Sequence, residues 1–486
     1  MIERRALAAF GVGLIVPLAA VTASAARLPS MAAWGIACAL LLFIPAVARR
    51  LPATLDGLAR RHRVATLLFV VVAVAALVQT TRLARFMIEP ARLEASIMPW
   101  DTFFRTHSCL SAYVVAAERN RDGVANVYEL PDAVSDRYER AYAPLLVDDY
   151  LYPPTFLWQP RLALALGAGF FTIRMLWFVI EALLLGFAVL CVARFNGGDE
   201  GRRAALLSPL FWAATPTLLS MQIGNYQVVA FSLAMLSLVA VESGHDSVGG
   251  FLLASVTLSK VFPGVLVLVL LVRGRWRALA WTAGFAIAIA GVSLMLVGRP
   301  VFDAFIHHEL PRLSHADRFF DSVGADQALR FAAINFSVHG AVSKLRVLGV
   351  SMSPAAADAT SLAFTCVLVV AALATARARS RLALVEVTMA VLVLAAMRSP
   401  FLPSAYATVG ALWLLTAVGA EGAWWWPVPL IIGLSYVVPD RHVGLPSPPW
   451  RVVIGTMQQF AVVGVALAVL GRAALRQFSA PSARSR

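Results

Sequence analysis

The chain has 486 residues, 60% of them hydrophobic and only 14% charged, with a mean hydropathy of +0.76. That is too little charge to cover a water-soluble fold of this size, so a soluble enzyme is excluded in favour of a polytopic membrane protein. The formal net charge of +14 does not point to nucleic acid. All but two of the 41 basic residues are arginine, the exceptions being Lys260 and Lys344, and most arginines cluster at the ends of apolar runs, as cytoplasmic loops do.

Taken in order, the runs predict about twelve transmembrane helices plus one re-entrant segment, with both termini cytoplasmic. Run 6–26 follows Arg4 and Arg5 and reads as a retained anchor rather than a cleaved leader, because run 31–48 follows at once. Arginines crowd 49–63, which places it inside. Run 64–82 then goes out, and 83–170 becomes a long extracytoplasmic loop. Runs 171–194, 203–220 and 226–242 follow. Run 249–272 has the length of one span, yet Lys260 and Pro263 interrupt it and "RGRWR" after it reads as cytoplasmic. A re-entrant hairpin, or two short helices, satisfies both. Run 278–297 leads to a second long loop, 298–355. Runs 358–376, 382–397, 405–420, 423–439 and 453–472 complete the chain, which ends in a basic tail.

Loops of this length on one side of a membrane carry function or structure of their own. In the first, Asp101 stands among Trp100, Phe103 and Phe104, and "DDYLYPPTFLWQP" (148–160) has the aromatic and proline content of a segment lying at the interface. Lys260 is costly inside a span, by roughly 2.5–3.5 kcal/mol on insertion scales. It either snorkels to the interface or serves as a cation that holds a phosphate near the outer face. The amides of "MQIGNYQ" (221–227) cap helix ends or bind sugar hydroxyls. "INFSVHG" (334–340) and "RSPFLPSAY" (398–406) also reach the outer face, and Arg398 there breaks the inside rule, suggesting an anionic partner. "IHHEL" (306–310) lacks the i, i+4 histidine spacing of a zinc helix and reads as an amphipathic surface segment. Three of the four cysteines (38, 191 and 366) lie in apolar runs, and no disulfide or metal spacing is visible around them or Cys109.

In chain order these stations are Asp101, Val127-Tyr128, Tyr152-Pro153-Pro154, Gly224 to Gln227, Lys260 and Pro263 before Arg275-Trp276-Arg277, Asn335-Ser337-Gly340, and Ser399-Pro400. Over roughly 64–420 the chain resembles glycosyltransferase family 87, polytopic transferases of the GT-C class related to the actinobacterial α-mannosyltransferases. The resemblance divides the chain into two extra N-terminal helices with a basic loop (1–63), a GT-C-like catalytic module (64–420) and C-terminal helices with a basic tail (421–486). Where the mannosyltransferase branch carries a tryptophan and then a histidine beside a tyrosine, this chain has Pro403, Ala405 and Tyr406.

The resemblance implies an inverting membrane glycosyltransferase of the bacterial plasma membrane. It would move a hexosyl residue, mannosyl in the related branch, from a polyprenyl-phosphate sugar to an extracytoplasmic lipid or glycan. The lipid-linked sugar is a substrate, and no cofactor or metal is expected. Asp101 is the implied general base, with Asp148 or Asp149 next. Lys260 and Arg398 would hold the donor phosphate. Trp100, Tyr128, Asp149, Tyr152, Asn225, Gln227, Asn335 and Tyr406 would bind substrate. The alternatives are a transporter or flippase of lipid-linked sugars, and a glycan polymerase or ligase using lipid diphosphates, for which Arg312, Arg318 and Arg330 are the outer-loop arginines.

Overall fold

A computed structural model describes residues 2–50, 63–314, 325–350, 352–422, 425–437 and 448–478. Regular structure among them is helical, apart from one isolated antiparallel bridge between Asn335 and Pro403. Seven helices are long and apolar enough to cross a membrane: Arg4–Ala25, Ser30–Arg50, Thr66–Ile88, Phe170–Asn196, Trp276–Val297, Ala355–Ala374 and Trp450–Leu475. An eighth span forms if Gly198–Trp212 and Thr215–Ile223, which meet at 64°, are counted together. Pro209 lies near the end of the first of these helices and Pro216 in the first turn of the second, so neither could run unbroken through the bend. The chain is thus an all-helical polytopic membrane protein.

The remaining apolar runs form shorter helices. Gln227–Glu242, Arg381–Ala396 and Ser404–Gly419 have 16 residues each and Asp246–Ser259 has 14. At 1.5 Å per residue they are about 21–24 Å long, below the ~30 Å of a hydrocarbon core. Gln227–Glu242, Arg381–Ala396 and Ser404–Gly419 are buried almost from end to end and form the centre of the bundle. Trp276–Val297 and Ala355–Ala374, by contrast, have only 17% of their apolar window buried, as helices facing lipid do. Small residues let the central helices approach. A Cβ at Gly410 would lie 2.2 Å from the Phe231 ring, and one at Gly250 2.6 Å from Trp281 Cβ. Run 423–439 is a correction: its only described helix is Pro427–Leu434, eight residues, too short to span.

Run 249–272 breaks as its composition predicts. Helix Asp246–Ser259 stops at Lys260, whose backbone is extended, and Phe262–Val272 follows. Arg273 and Arg275 then pair with Glu242 at 3.0 and 2.7 Å. Lys260 instead bonds Asn225, at the start of the helix that ends in Glu242. The two short helices therefore rise from one end of the bundle to Lys260 and return.

Candidate active site

The segment after helix Thr66–Ile88 is built around a turn. Asp101 is fully buried, and its Oδ1 accepts the backbone N–H groups of Phe103 at 3.0 Å and Phe104 at 2.9 Å. Gln222 clamps this turn to the bundle, accepting from Ile97 N at 2.5 Å and donating to Phe104 O at 2.9 Å. The turn delivers His107, which stacks on Phe103 with ring centroids 4.4 Å apart. Two residues on, Cys109 opens helix Cys109–Arg121.

A second segment lies against the first. Leu146 N donates to Thr106 O at 2.8 Å and Asp148 N to Ser111 Oγ at 3.0 Å. This sets Asp148 Oδ2 3.5 Å from His107 Nε2. Tyr150, Tyr152 and Pro154 follow, and the tandem prolines hold the chain extended before the turn 154–156. Tyr113 donates to Tyr152 OH at 2.8 Å, and Tyr128 OH donates to Tyr152 O at 3.2 Å.

The amide turn supplies the third side. Gly224 adopts φ 69°, and a Cβ there would lie 2.9 Å from Leu110 Cβ, so the position needs glycine both for its backbone and for the close approach. It turns the chain so that Asn225 faces inward. Asn225 Oδ1 accepts from Gln227 N at 3.0 Å and from Lys260 Nζ at 3.3 Å, while its Nδ2 lies 3.4 Å from Cys109 Sγ. Lys260 Nζ also donates to Tyr152 OH at 3.5 Å. Tyr406 reaches in from helix Ser404–Gly419, its hydroxyl 3.2 Å from Cys109 Sγ.

One cluster therefore gathers Asn225, Lys260, Tyr152 and Tyr406, all expected from sequence, together with His107, Cys109, Tyr113 and Asp148. Burial, reinforced by Asp148, pushes the Cys109 thiol up to about 12. Burial also raises the Tyr128 and Tyr152 phenols. Asp149 borders the cluster, with its N–H on Asp148 Oδ1 at 3.1 Å. Partial burial and the Asp148 charge raise its carboxyl, against the pull of Arg312.

Other expected residues lie elsewhere or serve the scaffold. Trp100 is 56% exposed at the surface. Gln227 is buried, and its side-chain amide has no hydrogen-bond partner among the described residues. Asn335 Oδ1 accepts from Ser337 N and Leu402 N, at 3.0 and 3.1 Å, and so ties 334–340 to 398–406. Lys344 is buried and donates to Asn335 O and Gln459 Oε1, both at 2.7 Å. Arg398 donates to Ser361, and no described hydrogen bond or ion pair joins it to Lys260. Arg312 forms a two-pronged pair with Glu309 at 2.9 and 3.1 Å. Glu309 is buried while Ile306, His307 and Leu310 are exposed, so 306–310 has one face in and one face out, as the amphipathic surface segment read from its sequence does. Arg318 and the Arg330 side chain lie outside the described residues.

The sequence gives one hint of the residues it did not reveal. Cys109 is the only cysteine outside an apolar run, at the start of helix Cys109–Arg121. Its proximity to Tyr406, 297 residues away, has no local signature.

The fold is that of a polytopic membrane protein, with a polar cluster gathered around a lysine at a break between two short apolar helices. Residues 150–400, just over half of the chain, match glycosyltransferase family 87, and the chain belongs to that family. It is therefore a glycosyltransferase. The match begins after Asp101 and Val127-Tyr128 and takes in Tyr152, Asn225, Lys260, Asn335 and Arg398. No curated protein and no solved structure matches the chain.

Proposed function

We propose that this enzyme transfers a hexosyl residue from a polyprenyl-phosphate sugar to an extracytoplasmic lipid or glycan acceptor, with inversion. It would act in a bacterial plasma membrane with both termini in the cytoplasm. One observation carries the reading. The hydrogen bonds of Lys260 go to two neutral oxygens, those of Asn225 and Tyr152, and among the described residues no carboxylate forms an ion pair with it. The buried Glu181 carboxylate acts on it only from beyond ion-pairing distance, so a donor phosphate would be its first directly paired anion. Tyr152, which bonds Lys260 and keeps some exposure, supports the reading as a ring a sugar could meet, while Tyr113, Tyr150 and Phe156 are buried behind it.

Asp148 is our choice of general base. Asp101 is buried, with Oδ1 bonded to its own turn, whereas the Asp148 side chain is 39% exposed and reaches the cluster beside His107. Asp101 then acts indirectly, by forming the turn that carries His107. In the reaction, the acceptor oxygen attacks the anomeric carbon and gives its proton to Asp148. The bond between that carbon and the phosphate oxygen breaks, and the electron pair stays on the phosphate. Lys260 stabilises the charge as it develops. A single displacement inverts the centre. A positioned base contributes about 10²–10⁴-fold.

The test is transfer of labelled sugar from polyprenyl-phosphate mannose, glucose or arabinofuranose by purified wild-type, Asp148→Asn and Asp101→Asn proteins. Transfer that survives in Asp148→Asn and vanishes in a folded Asp101→Asn returns the base to Asp101. A lipid diphosphate among the products moves the enzyme to the polymerase or ligase class.

A further inference from the structure

Cys109 has no task in the transfer step, yet three polar side chains of the cluster converge on it. Its sulfur lies 3.5 Å from His107 Nε2, 3.2 Å from Tyr406 OH and 3.4 Å from Asn225 Nδ2. His107 Nε2 in turn lies 3.5 Å from Asp148 Oδ2. The three ligand atoms, one nitrogen, one sulfur and one oxygen, all fall within 4.8 Å of one another, and this is the only such group among the described residues.

We propose that His107, Cys109 and Asp148 form a binding site for a thiophilic divalent cation of the zinc class, and that its occupation blocks sugar transfer by engaging Asp148. The site itself stands on the geometry alone. The blocking clause rests on Asp148 being the base.

Zinc takes imidazole nitrogen at about 2.0–2.1 Å, thiolate at about 2.3 Å and carboxylate at about 2.0–2.2 Å, so neighbouring ligand atoms of a tetrahedral site stand roughly 3.3–3.8 Å apart. Two of the three separations here already have that value, and the third needs a shift of about 1 Å. The donors are also held in place. Stacking on Phe103 fixes the His107 ring, and the backbone bonds of Leu146 and Asp148 fix the two segments against each other.

The donor set selects the metal. A sulfur and an imidazole suit zinc, cobalt or cadmium and disfavour magnesium and calcium, which prefer oxygen. Three protein ligands leave a fourth position open, as catalytic and inhibitory zinc sites do and structural ones do not. Binding requires the Cys109 thiol to lose its proton, which is released to solvent as the sulfur–metal bond forms. The start of helix Cys109–Arg121 favours the thiolate, whereas burial and the Asp148 charge oppose it, so the bound cation itself must stabilise the sulfur anion. Lys260 faces the same cluster through Asn225; it favours the thiolate and opposes the cation.

The experiment is a cobalt titration of the purified full chain in detergent, followed by its near-ultraviolet spectrum. We expect a thiolate-to-cobalt charge-transfer band that saturates at one equivalent, is displaced by zinc, and is lost in Cys109→Ser and weakened by at least about tenfold in affinity in His107→Ala. Zinc should also inhibit transfer reversibly by chelator, and any residual activity of Cys109→Ser should resist it. A wild-type protein with no thiolate band, or a band undiminished in Cys109→Ser, overturns the site. Stoichiometric binding without inhibition overturns the blocking clause. A band in a protein that transfers from no polyprenyl-phosphate donor supports the metal site and removes the donor reading instead.

Discussion

Lys260 and Asn225, 35 residues apart in sequence, meet with Nζ 3.3 Å from Oδ1. The lysine stands at the break between two short helices and the asparagine just after the left-handed turn at Gly224. Each feature disrupts regular structure in an apolar region, and the contact shows what both disruptions produce: a cation presented at one end of the bundle.

Replacing Lys260 with methionine keeps its apolar stem and removes the charge. We expect kcat to fall by about 10²–10³-fold, the effect of losing one stabilising donor in a transition state. Lys260→Arg should recover part of the loss. Single-turnover transfer in nanodiscs separates this from weaker donor binding, which would raise KM alone.

The two acids of the first loop should respond in opposite ways. Asp148→Asn should lower kcat by about 10²–10⁴-fold with little change in melting temperature. Asp101→Asn keeps an oxygen that can accept from Phe103 and Phe104, so it should retain transfer. Asp101→Ala loses that acceptor and should cost about 1–2 kcal/mol of stability, read as a lower midpoint in thermal unfolding.

Gly224→Ala tests the amide turn. An alanine at φ 69° costs about 1–2 kcal/mol in the backbone alone, and its Cβ meets Leu110 Cβ at 2.9 Å. The variant should melt earlier and bind donor more weakly, because Asn225 moves with the turn. Unchanged KM and melting would contradict the role given to this glycine.

At the opposite end of the two short helices, Glu242 pairs with both Arg273 and Arg275 and is only 8% exposed. Glu242→Gln should destabilise the protein by about 1–2 kcal/mol, since it removes the charge that both arginines share while Arg273 keeps Thr375 O and Arg275 keeps its solvent. Transfer per folded molecule should stay unchanged, which a detergent melting series with parallel activity assays checks.

The features legible in the sequence were those fixed by local chemistry. Apolar runs mark the long helices, and Lys260 with Pro263 marks the break in 249–272, because a charge and a proline both oppose a continuous span. The aromatic and proline-rich stretch at 148–160 also stands at the cluster. Relationships set by distant partners were not legible. Asn335 and Arg398 read from sequence as polar ligands, and the protein partners they also have, the N–H groups of Ser337 and Leu402 for Asn335 and Ser361 for Arg398, carry no local signature. Asp101 reads as a base in an aromatic loop, and the turn in which its Oδ1 accepts the N–H groups of Phe103 and Phe104 is not spelled out by the sequence. Run 423–439 is apolar enough for a span, but hydropathy does not reveal that its described helix stops at Leu434.

The most direct test of the account is transfer of labelled sugar from polyprenyl-phosphate donors by purified wild-type and Asp148→Asn enzyme, with Asp101→Asn in parallel and thermal melting of all three. The account predicts transfer by the wild type, a loss of about 10²-fold or more in Asp148→Asn at an unchanged melting temperature, and retained transfer in Asp101→Asn. Full activity in Asp148→Asn, or none in a stably folded Asp101→Asn, would contradict it.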